Sequence, residues 1–140
     1  MEGKKRYNPK NEVHELSEPM SSYGFTDYFS LASQNITKTY IQKILSITRL
    51  TVSEIIELIP VSIDTYKRKT TFKPEVTEKV LEIEEVYRVG LEAFGDGFYD
   101  WMNNENIALG GRKPKELLSN SFGIRTLLNQ IGRMQHGVLA

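Results

Sequence analysis

Hydrophobic and polar positions repeat at helical spacing along most of the chain. Apolar residues recur every three or four positions in several segments, which is typical of amphipathic helices packed on a core. The longest periodic segment, residues 74–94, begins at Pro74, which the first turn of a helix tolerates, and is stopped by Gly95. No segment shows the alternation of a strand. The pattern therefore predicts an all-α fold.

Two short helices joined by a tight turn are predicted for residues 51–69. Thr51 is suited to cap the first helix, and Glu54, three residues later, completes a capping box. Pro60 ends this helix, and Ser62 can cap the second one. The second helix carries a cluster of basic residues, and this combination is typical of a helix-turn-helix.

The basic second helix is a candidate for DNA binding. A helix-turn-helix places this helix in the major groove, where Arg and Lys read guanine edges or neutralise phosphates. Ser53, at the start of the preceding helix, is suited to bind a phosphate. The alternative is a small helical hairpin with solvated lysines. The candidate DNA-binding residues are Ser53, Ser62, Thr65, Tyr66, Lys67, Arg68 and Lys69.

The two ends of the chain differ in character. Residues 1–33 are expected to form an N-terminal arm that is partly disordered, with a short helix or packed turn near residues 26–32. Gly110 and Gly111 predict a tight turn with positive φ angles. Beyond Gly95 the pattern predicts three shorter helices, at residues 98–102, 114–118 and 122–136.

Composition narrows the chemistry that the chain can support. The 140 residues contain no Cys and two His, so thiol nucleophiles, thiolate zinc sites and disulfides are excluded. We therefore expect no metal site, no cofactor and no enzymatic activity. No apolar run of membrane-spanning length is present, and the polar N-terminus lacks the apolar stretch of a signal peptide. These features predict a cytoplasmic binding protein of one domain or two very small ones.

The net charge of zero results from a cancellation between segments. Residues 1–74 carry a net charge of +3, residues 75–105 carry −7, and residues 106–140 carry +4. Such segregation indicates different surfaces for different partners, although solvated helix faces are the simpler alternative. The single Trp, Trp101, fits either the core or an interface, and His136 fits either helix capping or a partner contact.

The second half of the chain carries several motifs in a fixed order. Phe94-Gly95-Asp96 is followed by Trp101, residues 108–118 contain Ala-Leu-Gly-Gly and then Pro and Leu-Leu, and residues 132–137 read Gly-Arg-Met-Gln-His-Gly. Together they resemble the C-terminal toxin-binding domain of the Xre–MbcA–ParS family of bacterial antitoxins. The upstream helix-turn-helix is similar to the Xre-like domain of that family, so the resemblance covers residues 34–140.

The resemblance implies an architecture and a function. Residues 34–74 would be an Xre-like helix-turn-helix bundle, and residues 75–140 a compact helical toxin-binding domain. The protein would be the antitoxin of a type II toxin–antitoxin pair, acting as a homodimer. It would bind and block a RES-domain toxin that consumes NAD, and it would repress its own operon by binding operator DNA. The alternative is a stand-alone transcriptional regulator whose second domain dimerises or senses a small molecule.

The resemblance also implies which residues contact the toxin. The basic C-terminal segment can present its Arg and Lys side chains to a polar cleft of the toxin or to acidic residues at the rim of that cleft. The candidate toxin-binding residues are Trp101, Asn106, Leu109, Gly110, Gly111, Arg112, Lys113, Arg125, Arg133, His136 and Gly137.

Overall fold

The computed structural model describes residues 15–16 and 28–137, so most of the predicted arm lies outside the described residues. Helices account for most of the described chain, which confirms the all-α prediction. None of these helices is long and apolar enough to cross a membrane. The α-helices, α1 to α7, are Tyr28–Leu31, Lys38–Thr48, Val52–Leu58, Ile63–Arg68, Pro74–Phe94, Gly97–Asn103 and Ser121–Gln135. Two 3-10 helices between α6 and α7 are Ile107–Leu109 and Pro114–Ser119.

Three very short strands form a sheet that the sequence pattern did not predict. They are β1 (Glu15–Leu16), β2 (Asn35–Thr37) and β3 (Thr71–Phe72). β1 runs parallel to β2, and β2 runs antiparallel to β3 with Ile36 opposite Phe72. The pairing connects the residues before α2 to those after α4. Both of these side chains are buried, so the sheet lies against the core.

Side-chain caps fix the ends of the two helices predicted as a helix-turn-helix. The Thr51 hydroxyl accepts a hydrogen bond from the Glu54 N–H at 3.1 Å, and the Thr51 N–H donates to the Glu54 carboxylate at 2.9 Å. This reciprocal pair confirms the predicted capping box at α3. The Ser62 hydroxyl accepts from the Thr65 N–H at 3.1 Å and caps α4, also as predicted.

α5 is the longest helix and lies at the centre of the molecule. It has the bounds predicted from the sequence and packs against α2, β2, α6 and α7. Its 21 residues extend over about 30 Å at the rise of an α-helix. The buried apolar residues form one cluster that runs from Leu31 to Ile131. The predicted helix-turn-helix and the C-terminal segment therefore share a core, and the predicted boundary at residue 74 coincides with the start of α5.

The N-terminal end of α7 crosses the second 3-10 helix at backbone contact. Gly123 makes this approach possible, because a Cβ atom at this position would lie 1.9 Å from the carbonyl oxygen of Leu117. Asn120 caps α7 by accepting a hydrogen bond from the Gly123 N–H at 2.9 Å. The crossing sets where the first turn of α7 projects its side chains.

Alanine substitutions at two glycines of α7 are expected to have opposite effects on stability. Gly123→Ala should lower the free energy of unfolding by about 1–3 kcal/mol, because the methyl group overlaps the Leu117 backbone. Gly132→Ala should raise it by about 0.5–1 kcal/mol, because nothing lies within 4 Å of the added Cβ and alanine favours the helix. Urea unfolding measures both values. Equal effects of the two substitutions would contradict the close crossing.

Candidate functional site

The basic residues of α4 are exposed and lie at its C-terminal end. Lys67 and Arg68 occupy the last turn, and Lys69 is the C-cap. At the other end of the helix, the exposed Ser62 hydroxyl lies 3.0 Å from that of the half-buried Thr65. Ser53, the remaining hydroxyl candidate, is exposed in the first turn of α3. These candidate DNA-binding residues are therefore solvent-accessible and belong to two consecutive helices.

Tyr66 is the candidate DNA-binding residue that the structure buries. Its ring is 6% exposed and stacks on Phe72 with ring centroids 5.8 Å apart. Burial raises the pKa of its hydroxyl above the ordinary value. Its i, i+3 spacing from Ile63 indicated one apolar face of α4, but Ile63 is 40% exposed and only Tyr66 of the two is buried. The position of Tyr66 gives it a packing role that holds α4 against β3.

Lys38 is a positive charge beside α4 that the sequence interpretation missed. Its ammonium group lies 5.1 Å from the centre of the Tyr66 ring and donates a hydrogen bond to the Lys67 carbonyl oxygen at 3.0 Å. A cation at the last carbonyls of a helix is favourable, because these groups carry partial negative charge. No local pattern connects residues that lie 29 positions apart in the sequence.

The two glycines form the turn of a tightly bonded loop. Gly110 has a φ angle of 73° and Gly111 one of 80°, which confirms the predicted positive φ values. Asn106 makes four hydrogen bonds in this loop, one of them accepted by its carbonyl oxygen from the Leu109 N–H at 3.0 Å. Its side-chain oxygen accepts from the Ala108 N–H at 2.8 Å, its carbonyl oxygen accepts from the Gly111 N–H at 2.9 Å, and its own N–H donates to the Arg112 carbonyl oxygen at 3.0 Å. We call residues 106–112 the glycine loop.

The glycine loop buries one apolar residue and exposes another. Leu109 is only 7% exposed and contributes to the core, although it was a candidate toxin contact. Ile107 is 95% exposed, and the sequence interpretation did not single it out. Gly110, Gly111, Arg112 and Lys113 are also exposed. The loop and the residue that follows it thus present an apolar side chain, two glycines and two positive charges to solvent.

A groove of about 440 Å³ separates the glycine loop from the first turns of α7. Ala108, Leu109 and Arg112 form its loop side, whereas Phe122 and Thr126 belong to α7. Phe122 is 74% exposed, and the Arg125 guanidinium lies 5.2 Å from the centre of its ring. We call this feature, with its flanking residues Ile107 and Arg125, the loop–α7 groove.

The remaining candidate toxin-binding residues do not line the loop–α7 groove. Arg133 is in the last turn of α7, with His136 as the C-cap and Gly137 just beyond it, and all three are exposed. Eight residues separate Arg125 from Arg133, which corresponds to about 12 Å along the helix axis. Trp101 is half-buried in α6 and stacks on the buried Phe98 with ring centroids 5.6 Å apart. The structure therefore places these candidates in separate groups.

An ion pair connects α3 to the second 3-10 helix. The Lys115 ammonium donates to the Glu54 carboxylate at 2.5 Å, and this carboxylate also belongs to the capping box of α3. The hydrogen bonds from Lys115 and from the Thr51 N–H lower the pKa of Glu54 below its ordinary value. The contact links α3 to the residues that lead into α7.

A comparison with protein families matches the C-terminal part of the chain. Residues 92–137 match the sequence model of the antitoxin Xre/MbcA/ParS C-terminal toxin-binding domain. The chain is also 31% identical over 72 residues to Antitoxin Xre of Yersinia enterocolitica serotype O:8, covering 49% of each protein. The chain thus spans about half the length of this curated relative. Both matches support a relationship to the Xre/MbcA/ParS antitoxins, and the residues of the family-model match include the glycine loop and α7.

Glu54→Gln is expected to lower stability at neutral pH and to have little effect in acid. A carboxyl group with a lowered pKa stabilises the fold above its unfolded-state pKa, and this contribution is lost as the pH falls through the folded-state pKa. For a partly exposed pair, the neutral-pH loss should be a few tenths to about 1 kcal/mol. Urea unfolding at neutral pH and at about pH 3 measures this difference.

Two lysine variants test the assignment of this effect to the ion pair. Lys115→Met should reproduce the pH-dependent loss, because it removes the same contact from the other side. Lys113→Met, an exposed lysine two positions earlier, is the matched control and should not reproduce it. If the loss caused by Glu54→Gln were the same at both pH values, the assigned cause would be wrong.

Proposed function

We propose that this protein is the antitoxin of a type II toxin–antitoxin pair. The observation that carries the proposal is the match of residues 92–137 to a toxin-binding domain. The similarity to Antitoxin Xre supports it. In this proposal the partner is a RES-domain toxin that consumes NAD, and the antitoxin blocks its active site without a metal or cofactor of its own.

The charge of the C-terminal segment supports a role in binding an enzyme cleft. Residues 106–140 carry a net charge of +4, and Arg112, Lys113, Arg125 and Arg133 are all exposed. Opposite charges across an interface accelerate association and fix the orientation of the partners. The proposed toxin-binding region is residues 75–140.

The exposed cations of α4 support the proposal that the antitoxin represses its own operon. Lys67, Arg68 and Lys69 are available for phosphates or base edges, and Lys38 adds a further charge nearby. A single small helix-turn-helix contacts little DNA surface. A homodimer with two-fold symmetry contacts both half-sites of a palindromic operator. In this proposal, a cytoplasmic homodimer therefore binds operator DNA through residues 34–74.

Co-expression with the toxin encoded beside it in the genome tests the antitoxin proposal. This protein should restore bacterial growth and hold the cellular NAD concentration at its uninduced level, because a blocked RES-type active site no longer consumes NAD. Growth curves and an enzymatic NAD assay provide the two measurements. Co-expression with an unrelated RNA-cleaving toxin is the control, and no rescue is expected there.

The two measurements separate the parts of the proposal. Growth rescue while NAD is still consumed would show that the partner is not a RES-type toxin. Failure to rescue, together with tight binding to its own promoter, would favour the stand-alone regulator instead.

Removal of the three cations of α4 is expected to weaken operator binding. The variant Lys67→Ala/Arg68→Ala/Lys69→Ala should bind promoter DNA more weakly and lower the slope of log K against log[salt] by about 1 for each lost phosphate contact. Fluorescence anisotropy of a labelled promoter fragment at several salt concentrations measures this slope. The same variant should still restore the growth of bacteria that express the toxin.

A charge-matched variant in the C-terminal segment is the control for this experiment. Arg112→Ala/Lys113→Ala/Arg125→Ala also removes three positive charges but leaves α4 intact. It should retain the salt slope of the unmodified protein. Equal loss of DNA binding in both variants would mean that net charge, and not α4, accounts for binding.

A further inference from the structure

Ile107 is held in an exposed position by the bonds of the glycine loop. Its side chain is 95% exposed, while the four hydrogen bonds of Asn106 and the positive φ angles of the two glycines fix the backbone around it. A side chain presented by an ordered backbone loses little conformational entropy on binding. The loop therefore has the property expected of an interface anchor.

Phe122 is presented in a comparable way at the start of α7. Gly123 packs against the Leu117 backbone, and Asn120 caps the helix, so the first turn of α7 has a defined position. Phe122 is 74% exposed there, and Arg125 lies over its ring. Exposed aromatic residues with a neighbouring Arg are frequent among the residues that dominate binding energy in protein interfaces.

The charges around the loop–α7 groove indicate the chemistry of its occupant. Arg112 lines the groove and Arg125 flanks it, whereas Glu116 is the acidic residue in the lining. An occupant with carboxylates would complement this excess of guanidinium groups. A second copy of the same groove would instead bring positive charges together.

We propose that the toxin docks on the loop–α7 groove, with Ile107 and Phe122 as apolar anchors and Arg112 and Arg125 as charged contacts. The complementary toxin surface is an apolar depression rimmed by carboxylates. This inference rests on the antitoxin function proposed above and adds the residues and the partner chemistry of the contact.

Substitution of the anchors tests the docking surface. Ile107→Asp and Phe122→Asp should each weaken binding of the purified toxin from the adjacent gene by about 30-fold or more, as expected for anchors of an interface. Phe29→Asp is the matched control, because Phe29 is 91% exposed but belongs to α1. The affinity of this variant for the toxin should stay within about twofold of that of the unmodified protein. Calorimetric titration gives the Kd values, and thermal unfolding checks that each variant is folded.

The outcomes distinguish this inference from the function on which it rests. Absence of binding by the unmodified protein would overturn both. Tight binding by the unmodified protein and by both folded anchor variants would overturn the docking surface alone, as would an equal loss in Phe29→Asp. If Ile107→Asp or Phe122→Asp converted a homodimer into monomers, the groove would be a subunit interface and the inference would also be wrong.

The carboxylate rim has a separate test. Arg112→Glu/Arg125→Glu should slow association with the toxin and reduce the dependence of the association rate on salt, because attraction between opposite charges accelerates encounter. Surface plasmon resonance at several salt concentrations measures these rates. An unchanged or faster association rate would contradict an acidic partner surface.

Discussion

The structure depends on the burial of side chains around most of α5. Val80, Ile83 and Val86 are fully buried, because α2 and β2 pack on this helix from one half of the chain and α6 and α7 from the other. Each fully buried aliphatic side chain of this kind contributes about 1.5–3 kcal/mol. Neither half can complete its own core without this helix, so α5 is a structural element of both proposed binding regions.

Polar contacts add specificity to the packing around α5. The buried Glu84 of α5 accepts a hydrogen bond from the Tyr40 hydroxyl of α2, and such a bond offsets part of the cost of burying a polar group. Nearer the surface, the Arg49 guanidinium lies 3.8 Å from the centre of the Tyr99 ring. Arg49 ends α2 in the left-handed conformation, with a φ angle of 61°. These contacts fix the position of the first half of the chain relative to α5 and α6.

The helices and their caps could be predicted because their signals are local. The capping box of Thr51 and Glu54, the cap at Ser62 and the bounds of α5 each depend on residues close in sequence. The strands could not be predicted, because each has two or three residues and is stabilised by pairing with distant ones. The pairing of Ile36 with Phe72, for example, has no local signature.

The candidate sites were predicted less completely than the fold. Residue type indicated the basic positions of α4 and the positive φ angles at Gly110 and Gly111, since charge and glycine are visible in the sequence. The exposure of Ile107 and Phe122 was not predicted, because the residue type of a single apolar position does not show whether the chain packs over it. The structure, and not the residue type, shows that both side chains lie at the surface.

The fold also explains how a chain with no net charge can present two basic surfaces. A groove lined by Glu57, Glu75, Glu78 and Glu82 lies where the end of α3 meets the starts of α5 and α7. α4 follows α3 in the chain, and the loop–α7 groove includes the first turns of α7, so the carboxylates border both basic regions. At physiological salt the Debye length is about 8 Å, so an approaching partner responds to the charges of the nearby surface more than to the net charge of the chain. The negative charge of residues 75–105 therefore cancels the net charge of the chain, while the cations of α4 and of the loop–α7 groove stay exposed.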